Sequence, residues 1–264
     1  MKYGFIGLGN MAGAILRGMH RSGGFARDEI LGYNRTAAKT EALRDEIGLI
    51  PCASAKDVAE NADVLVLAVK PQMMPDVLPE IRDAVTPETL VISIAAGKPT
   101  TYYEEIFTEG VPVVRVMPNI NAKVGLSATA VCAGKNATEA HLELARKLFS
   151  AVGTVYTRKE EQFPAFSAIA GASGAFVHLY IDALASAGVK AGFARPFAEE
   201  LACQTVLGSA MLTHRSDKHP IALMDEVCSP GGTTIEGVHT LKRLGFETAI
   251  QQAVTAIIEK DKTL

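Results

Sequence analysis

A chain of 264 residues with 29 acidic and 26 basic side chains is large enough for one big or two medium hydrophobic cores. Its net charge of −3 lacks the basic surplus of a nucleic-acid binder. With 48% hydrophobic and 21% charged residues it has a globular composition with no room for a long disordered tail, and its four cysteines (Cys52, Cys132, Cys203, Cys228) form no CxxC pair, which fits reduced thiols in a cytoplasmic protein.

The chain enters a folded motif at once. Tyr3–Ile6 reads as a strand with no charged-then-apolar leader before it, so no export signal is expected. Further strands are expected at Ile30–Tyr33, Val64–Ala68, Leu90–Ile94, Val113–Met117 and Ala128–Cys132. Helices are expected at Ala12–Arg21, Ala37–Glu46, Val77–Asp83 and Thr138–Phe149. Val64-Leu65-Val66-Leu67-Ala68 is apolar on consecutive residues, as a strand covered on both faces requires. The first part is therefore expected to be an α/β domain with a doubly wound, mostly parallel sheet.

Gly7-Leu8-Gly9-Asn10-Met11-Ala12 follows the first strand and opens the first helix, which is the context that gives a glycine-rich loop its meaning. Gly7 permits the tight turn, Gly9 lets backbone approach a pyrophosphate, and Ala12 keeps the helix close to the sheet. A dinucleotide cofactor is expected there. At the end of the second strand, where an acidic residue would accept from the ribose hydroxyls of NAD, the chain has Asn34-Arg35-Thr36. Arg35 suits a 2′-phosphate, so NADPH is favoured over NADH. Ala68-Val69-Lys70-Pro71 and Ala95-Ala96-Gly97 end two more strands and are expected to admit the ribose and nicotinamide. Met117-Pro118-Asn119 ends another and is expected to border the nicotinamide.

Beyond about Thr157 the strand signal stops. Helices are expected at Phe163–Ala170, Ala175–Ala187, Phe197–Leu212, Ile221–Val227, Ile235–Leu244 and Glu247–Glu259. The polar run Arg158-Lys159-Glu160-Glu161 marks the connection, giving domains 1–158 and 159–264. Ala165–Val189 is the most membrane-like stretch, but Gly171, Gly174, His178 and Asp182 interrupt it, and it reads as a buried helix of a soluble protein. Small residues such as Ala183, Ala185, Ala187, Gly188, Ala191 and Gly192 suit close helix packing and dimerisation through this domain. Cys228-Ser229-Pro230-Gly231-Gly232-Thr233-Thr234-Ile235 sets two glycines and three hydroxyls before a helix start, which makes either a cradle for a carboxylate or a capped turn. His214 and His219 lack a third ligand, so no metal is expected.

Phe5-Ile6-Gly7-Leu8-Gly9-Asn10-Met11, Asn34-Arg35, Ala68-Val69-Lys70-Pro71-Gln72, Met117-Pro118-Asn119 and above all Ser229-Pro230-Gly231-Gly232-Thr233-Thr234-Ile235 make the chain resemble the pyrroline-5-carboxylate reductase family from end to end. The resemblance implies a Rossmann domain followed by an all-helical dimerisation domain. It implies reduction of the ring imine of 1-pyrroline-5-carboxylate to L-proline with NADPH or NADH, as the last step of proline biosynthesis, and Arg35 makes NADH the weaker donor expected here. It also implies a homodimer, in some members assembled into a ring of dimers, with the active site shared between subunits. The loop matched by Ser229, Gly231, Gly232, Thr233 and Thr234 would hold the substrate carboxylate, and Thr234 would hydrogen-bond the ring nitrogen. One stretch departs. Where the family usually reads Ser-Gly-Ser-Gly-Pro-Ala-Tyr, this chain has Ala170-Gly171-Ala172-Ser173-Gly174-Ala175-Phe176, without the tyrosine hydroxyl, and the acidic residue common ahead of that helix is Pro164.

A protonated cyclic imine is already a good hydride acceptor, so a sparse site without a metal suffices. A β-hydroxyacid dehydrogenase shares the two-domain plan but needs a catalytic lysine in the first long helix of the second domain, and no lysine lies between Lys159 and Lys190. A non-enzymatic NADP-binding sensor would keep Gly7, Gly9 and Arg35 without needing Ser229–Thr234.

Overall fold

The computed structural model of the chain describes residues 1–261. Its backbone contacts divide it into a compact unit, Met1–Gly171, and a second unit from Ala172 onward.

The first unit is built on one eight-stranded sheet. In chain order the strands are β1 (Tyr3–Ile6), β2 (Ile30–Tyr33), β3 (Ile50–Pro51), β4 (Val64–Leu67), β5 (Leu90–Ser93), β6 (Val113–Met117), β7 (Ser127–Ala133) and β8 (Gly153–Thr157). They lie in the order β3-β2-β1-β4-β5-β6-β7-β8, and every neighbouring pair is parallel except β6 and β7. The crossovers are α1 (Asn10–Ser22), α2 (Ala37–Ile47), α3 (Ala55–Asn61), α4 (Met74–Ile81), α5 (Thr100–Glu104) and α6 (Glu139–Ser150). The chain leaves β1 toward β2 and returns on its other side to β4. The strand order therefore reverses at β1, and the crevice beyond its carboxyl end is where such sheets take ligands.

The two-sided burial expected of β4 is present. Val64 and Val66 enter the hydrophobic cluster with Phe5, Ile15 and Phe149, while Leu65 and Leu67 enter the cluster with Val58, Leu78 and Phe107. Period-two side chains on a strand between two helical layers demand this arrangement. α1 and α2 stop where Gly23 (φ 66°) and Gly48 (φ 79°) take the left-handed conformation and bond back to His20 and Arg44 carbonyls. Sequence reading overlooked α3, α5 and the strands β3 and β8. β3 has two residues, and β8, at the sheet edge, is only partly buried, so neither shows an apolar run.

The first unit runs past the expected boundary at 158/159. Glu160 is no free linker residue: its carboxylate accepts from the Thr100 backbone N–H (2.9 Å), the Thr100 hydroxyl (3.0 Å) and Arg115 Nη1 (3.1 Å). Arg115, on β6, lies 4.6 Å from the ring centroid of buried Phe163. These contacts hold α7 (Phe163–Phe166) and the π-helical turn Ser167–Ala172 to the sheet.

The second unit comprises α8 (Gly174–Lys190), α9 (Arg195–Arg215), α10 (Pro220–Val227), α11 (Thr233–Arg243) and α12 (Phe246–Asp261). Small residues bring α8 and α9 together, with Ala185, Ala198 and Ala202 buried. A Cβ added to Gly188 would lie 3.2 Å from that of Ala198. The expectation of a buried helix at Ala165–Val189 is corrected. In the single chain α8 buries only Ala185 among its own residues, and Val177, Leu179, Tyr180, Leu184 and Val189 are exposed, because the described helices are too few to cover both faces. Glu160–Lys190 is also the one helical stretch among the described residues long and apolar enough to cross a membrane.

Candidate dinucleotide and carboxylate sites

The glycine loop closes β1 onto α1. Gly7 has φ +92° and donates its N–H to Tyr33 O at 2.9 Å. A Cβ there would come within 2.8 Å of Val69 backbone, so only glycine fits. Gly9 differs: its φ is ordinary and a Cβ would meet no protein atom within 4 Å. Gly9 is also the N-cap of α1, where no side chain caps the first turn, so helix N–H groups face open space. That combination fits a pyrophosphate drawn against backbone and helix dipole. Ala12 is buried in the core, as close helix–sheet packing requires.

Asn34 works partly inward. Its Oδ1 accepts from Leu8 N (3.0 Å) and its Nδ2 donates to Thr36 O (3.1 Å), tying the loop after β2 to the glycine loop. A cavity of about 300 Å³ opens beyond these turns. Gly7, Gly9, Asn34, Arg35, Ala68, Val69 and Lys70 all line it, so three of the expected segments converge there. Leu8, Asn10, Met11, Thr36 and Pro71 belong to the same turns without lining it. Lys39 on the first turn of α2, together with Asp76, Val77 and Glu80 on α4, also line the cavity, and sequence reasoning overlooked them. The spacing from Arg35 to Lys39 was the available signal, since both cations flank one helix start.

Ala95-Ala96-Gly97 follows β5 and Met117-Pro118-Asn119 spans the end of β6, but neither segment lines that cavity. The first is pinned at its start. Ala95 N donates to Ser93 Oγ (3.2 Å), and Ser93 donates to the Tyr103 hydroxyl oxygen (2.6 Å). Burial pushes the Tyr103 phenol up to about 12, against the lowering effect of that hydrogen bond. Asn119 is buried with its side chain engaged: Nδ2 donates to Ala170 O (2.9 Å) in the π-turn, and Oδ1 accepts from Asn121 N (3.1 Å). Met117 packs in the small cluster with Phe163 and Phe166.

In the second unit, Ser229–Gly232 joins α10 to α11. Gly231 has φ +69° with nothing within 4 Å of a would-be Cβ, and Gly232 N–H donates to Ser229 O (3.0 Å). Gly232 is the N-cap and no side chain caps the helix, so the N–H groups of the first turn, which begins with Thr233 and Thr234, have no side-chain acceptor. Thr233 and Thr234 are exposed. The arrangement suits a carboxylate by helix dipole and backbone donors, with hydroxyls beside it. Among the described residues no group of three or more His, Cys, Asp or Glu could hold a metal.

Residues 160–264 match the family model for pyrroline-5-carboxylate reductase dimerisation, and residues 2–97 match the model for coenzyme F420-dependent NADP oxidoreductases. The chain is 39% identical to pyrroline-5-carboxylate reductase of Methanosarcina acetivorans, over 100% of this chain and 97% of the relative. A pyrroline-5-carboxylate reductase structure from Coxiella burnetii aligns with a TM-score of 0.93 and 32% identity, covering 99% of this chain and 97% of that one. The Plasmodium falciparum pyrroline carboxylate reductase with NADP bound aligns with a TM-score of 0.89 and 30% identity, over 100% and 97%.

Proposed function

The chain belongs to the pyrroline-5-carboxylate reductase family, and from that premise we propose how its own residues divide the work of the reaction. It is an NADP-dependent oxidoreductase that reduces the ring imine of 1-pyrroline-5-carboxylate to L-proline, the last step of proline biosynthesis. The hydroxyacid dehydrogenase and the sensor are not favoured, since full-length relatives carry the reductase name.

Gly7, Leu8, Gly9, Asn10 and Met11 hold the pyrophosphate of NADPH at the start of α1. Arg35, helped by Lys39, pairs with its 2′-phosphate, and Asn34 and Thr36 shape that turn. Ala68, Val69 and Lys70 wall the cavity on the adenosine side, and the segment they open, through Pro71, together with Ala95, Ala96 and Gly97 admits the ribose and nicotinamide. Bound NADPH supplies the hydride. The protein's tasks are to orient the imine and to keep the nitrogen hydrogen-bonded as it gains a proton. Backbone N–H groups of the turn through Ser229, Gly231, Gly232 and Thr233 grip the substrate carboxylate. The Thr234 hydroxyl faces the ring nitrogen as donor or relay, and Met117, Pro118 and Asn119 border the ring. The observation that carries this division is the uncapped start of α11 beside two hydroxyls.

The dinucleotide domain is 1–158, and residues 159–264 serve as the dimerisation and substrate domain. The large exposed apolar side chains of the second unit, such as Phe193, Phe197, Leu207 and Leu212, are covered by a second copy in a homodimer, the unit from which a ring of dimers is built, and the enzyme works in the cytoplasm. NADH serves as a weaker donor. The deciding experiment follows NADPH absorbance with pyrroline-5-carboxylate. Thr234→Val is expected to lower turnover and spare NADPH binding, and an unchanged rate removes Thr234 from the mechanism.

A further inference from the structure

The cavity beyond β1 carries charges of both signs, and phosphate accounts only for the positive ones. Asp76 and Glu80 stand one helical turn apart on α4 and line the same cavity as Arg35 and Lys39. None of these four side chains has an ion-pair or hydrogen-bond partner among the described residues. Aliphatic side chains complete the lining, with Val69 after β4 and Val77 between the two acids.

Resting on the assignment of this cavity to the dinucleotide, we propose that Asp76 and Glu80 form the acceptor edge that reads the exocyclic amine of the adenine base. The argument is one of chemical matching. The 2′-phosphoadenosine half of NADPH presents a multiply charged anion at one end and a flat, largely apolar ring with an amino donor at the other. The cavity presents cations at the β2–α2 turn, aliphatic walls, and on α4 two groups that when ionised only accept. A carboxylate beside the 2′-phosphate would repel it, so the acids belong at the base and the cations at the phosphate. The amine is the donor that this base offers there.

The consequence is base selectivity. Hypoxanthine has a carbonyl where adenine has its amine, and against Asp76 and Glu80 it sets acceptor to acceptor. Loss of a charge-assisted hydrogen bond corresponds to about tenfold to hundredfold in affinity. Asn and Gln at these positions would face either base, since an amide both donates and accepts.

The test titrates the full-length enzyme with NADPH, NADH and reduced nicotinamide hypoxanthine dinucleotide phosphate, read by nicotinamide fluorescence. The wild-type chain is expected to bind NADPH at least about tenfold more tightly than the hypoxanthine analogue. Asp76→Asn/Glu80→Gln is expected to shrink that gap below about threefold while leaving the ratio of NADPH to NADH affinity unchanged. Equal wild-type affinities, or a gap that survives the double substitution, overturns the proposal if Arg35→Ala still weakens NADPH. A double variant that tightens NADPH relative to NADH would place the acids at the phosphate and overturns it too. If neither Arg35→Ala nor the double variant alters NADPH binding, the cavity is not the dinucleotide site, and both readings fall.

Discussion

Ser93 and Tyr103 are joined by a 2.6 Å hydrogen bond between two fully buried side chains, and the same Ser93 oxygen accepts from the Ala95 N–H. The loop that begins at Ala95 is thereby fastened to the end of β5. Tyr103→Phe leaves the Ser93 hydroxyl without its acceptor, which costs about 1–3 kcal/mol at a buried site. The expected result is a lower melting temperature and a modestly raised NADPH dissociation constant. Unchanged melting would mean the bond carries no net stability.

Alkaline pH attacks the same region. Burial pushes Tyr103 from 10.0 and Cys132 from 9.0 up to about 12 each, with the Glu160 charge adding to the rise at Cys132. The folded chain therefore holds both groups neutral where the unfolded chain ionises them. Their contribution is complete below about pH 9 and is lost as pH rises toward about 12. Urea denaturation between pH 8 and 11 is expected to give falling stability, with a shallower slope for Tyr103→Phe. Native Cys132 is expected to resist alkylation at pH 8 and to react once denatured. Rapid native labelling would contradict the burial.

Arg35 and Lys39 flank the start of α2 and line one cavity. Arg35→Ala is expected to weaken NADPH by roughly 1–3 kcal/mol and NADH far less, with Lys39→Ala acting in the same direction. Equal weakening of both cofactors would remove Arg35 from the 2′-phosphate.

The parts of this protein legible in the sequence are those written in contiguous residues. Val64–Leu67 announces its two-sided burial without help, and the glycine loop announces its ligand because strand and helix adjoin it. Asp76 and Glu80 were not legible, because a charged residue on a short helix looks like solvated surface until folding turns it toward a cavity. Arg115 and Glu160 meet across 45 positions, a separation no local pattern records. The exposure of α8 was hidden too, since an apolar helix reads the same whether its own chain or another molecule covers it.

That long-range pair carries a prediction of its own. Arg115 is buried, its Nε has no partner among the described residues, and Glu160 supplies its ion pair. Glu160→Gln removes the countercharge and is expected to cost about 3 kcal/mol, because an uncompensated buried guanidinium remains. Arg115→Met/Glu160→Gln should recover part of the loss by removing that charge. Failure of the double variant to recover any stability in chemical denaturation would show that the contacts to Thr100 matter more than the ion pair.

Gly7 and Gly9 lie two residues apart and make opposite predictions. An alanine at Gly7 would need φ +92° and would drive its Cβ to 2.8 Å from Val69 N, which is backbone and cannot step aside. Gly7→Ala is therefore expected to lower the melting temperature and to disturb the turn itself. Gly9→Ala meets no protein atom and an ordinary φ, so the apo chain is expected to melt as the wild type does. Its methyl group would instead occupy the space that a pyrophosphate needs against the start of α1, and NADPH affinity should fall by about tenfold or more. Measuring melting and NADPH binding for both variants separates the two roles. If Gly9→Ala binds NADPH normally, the open space before α1 is not where the cofactor phosphates lie.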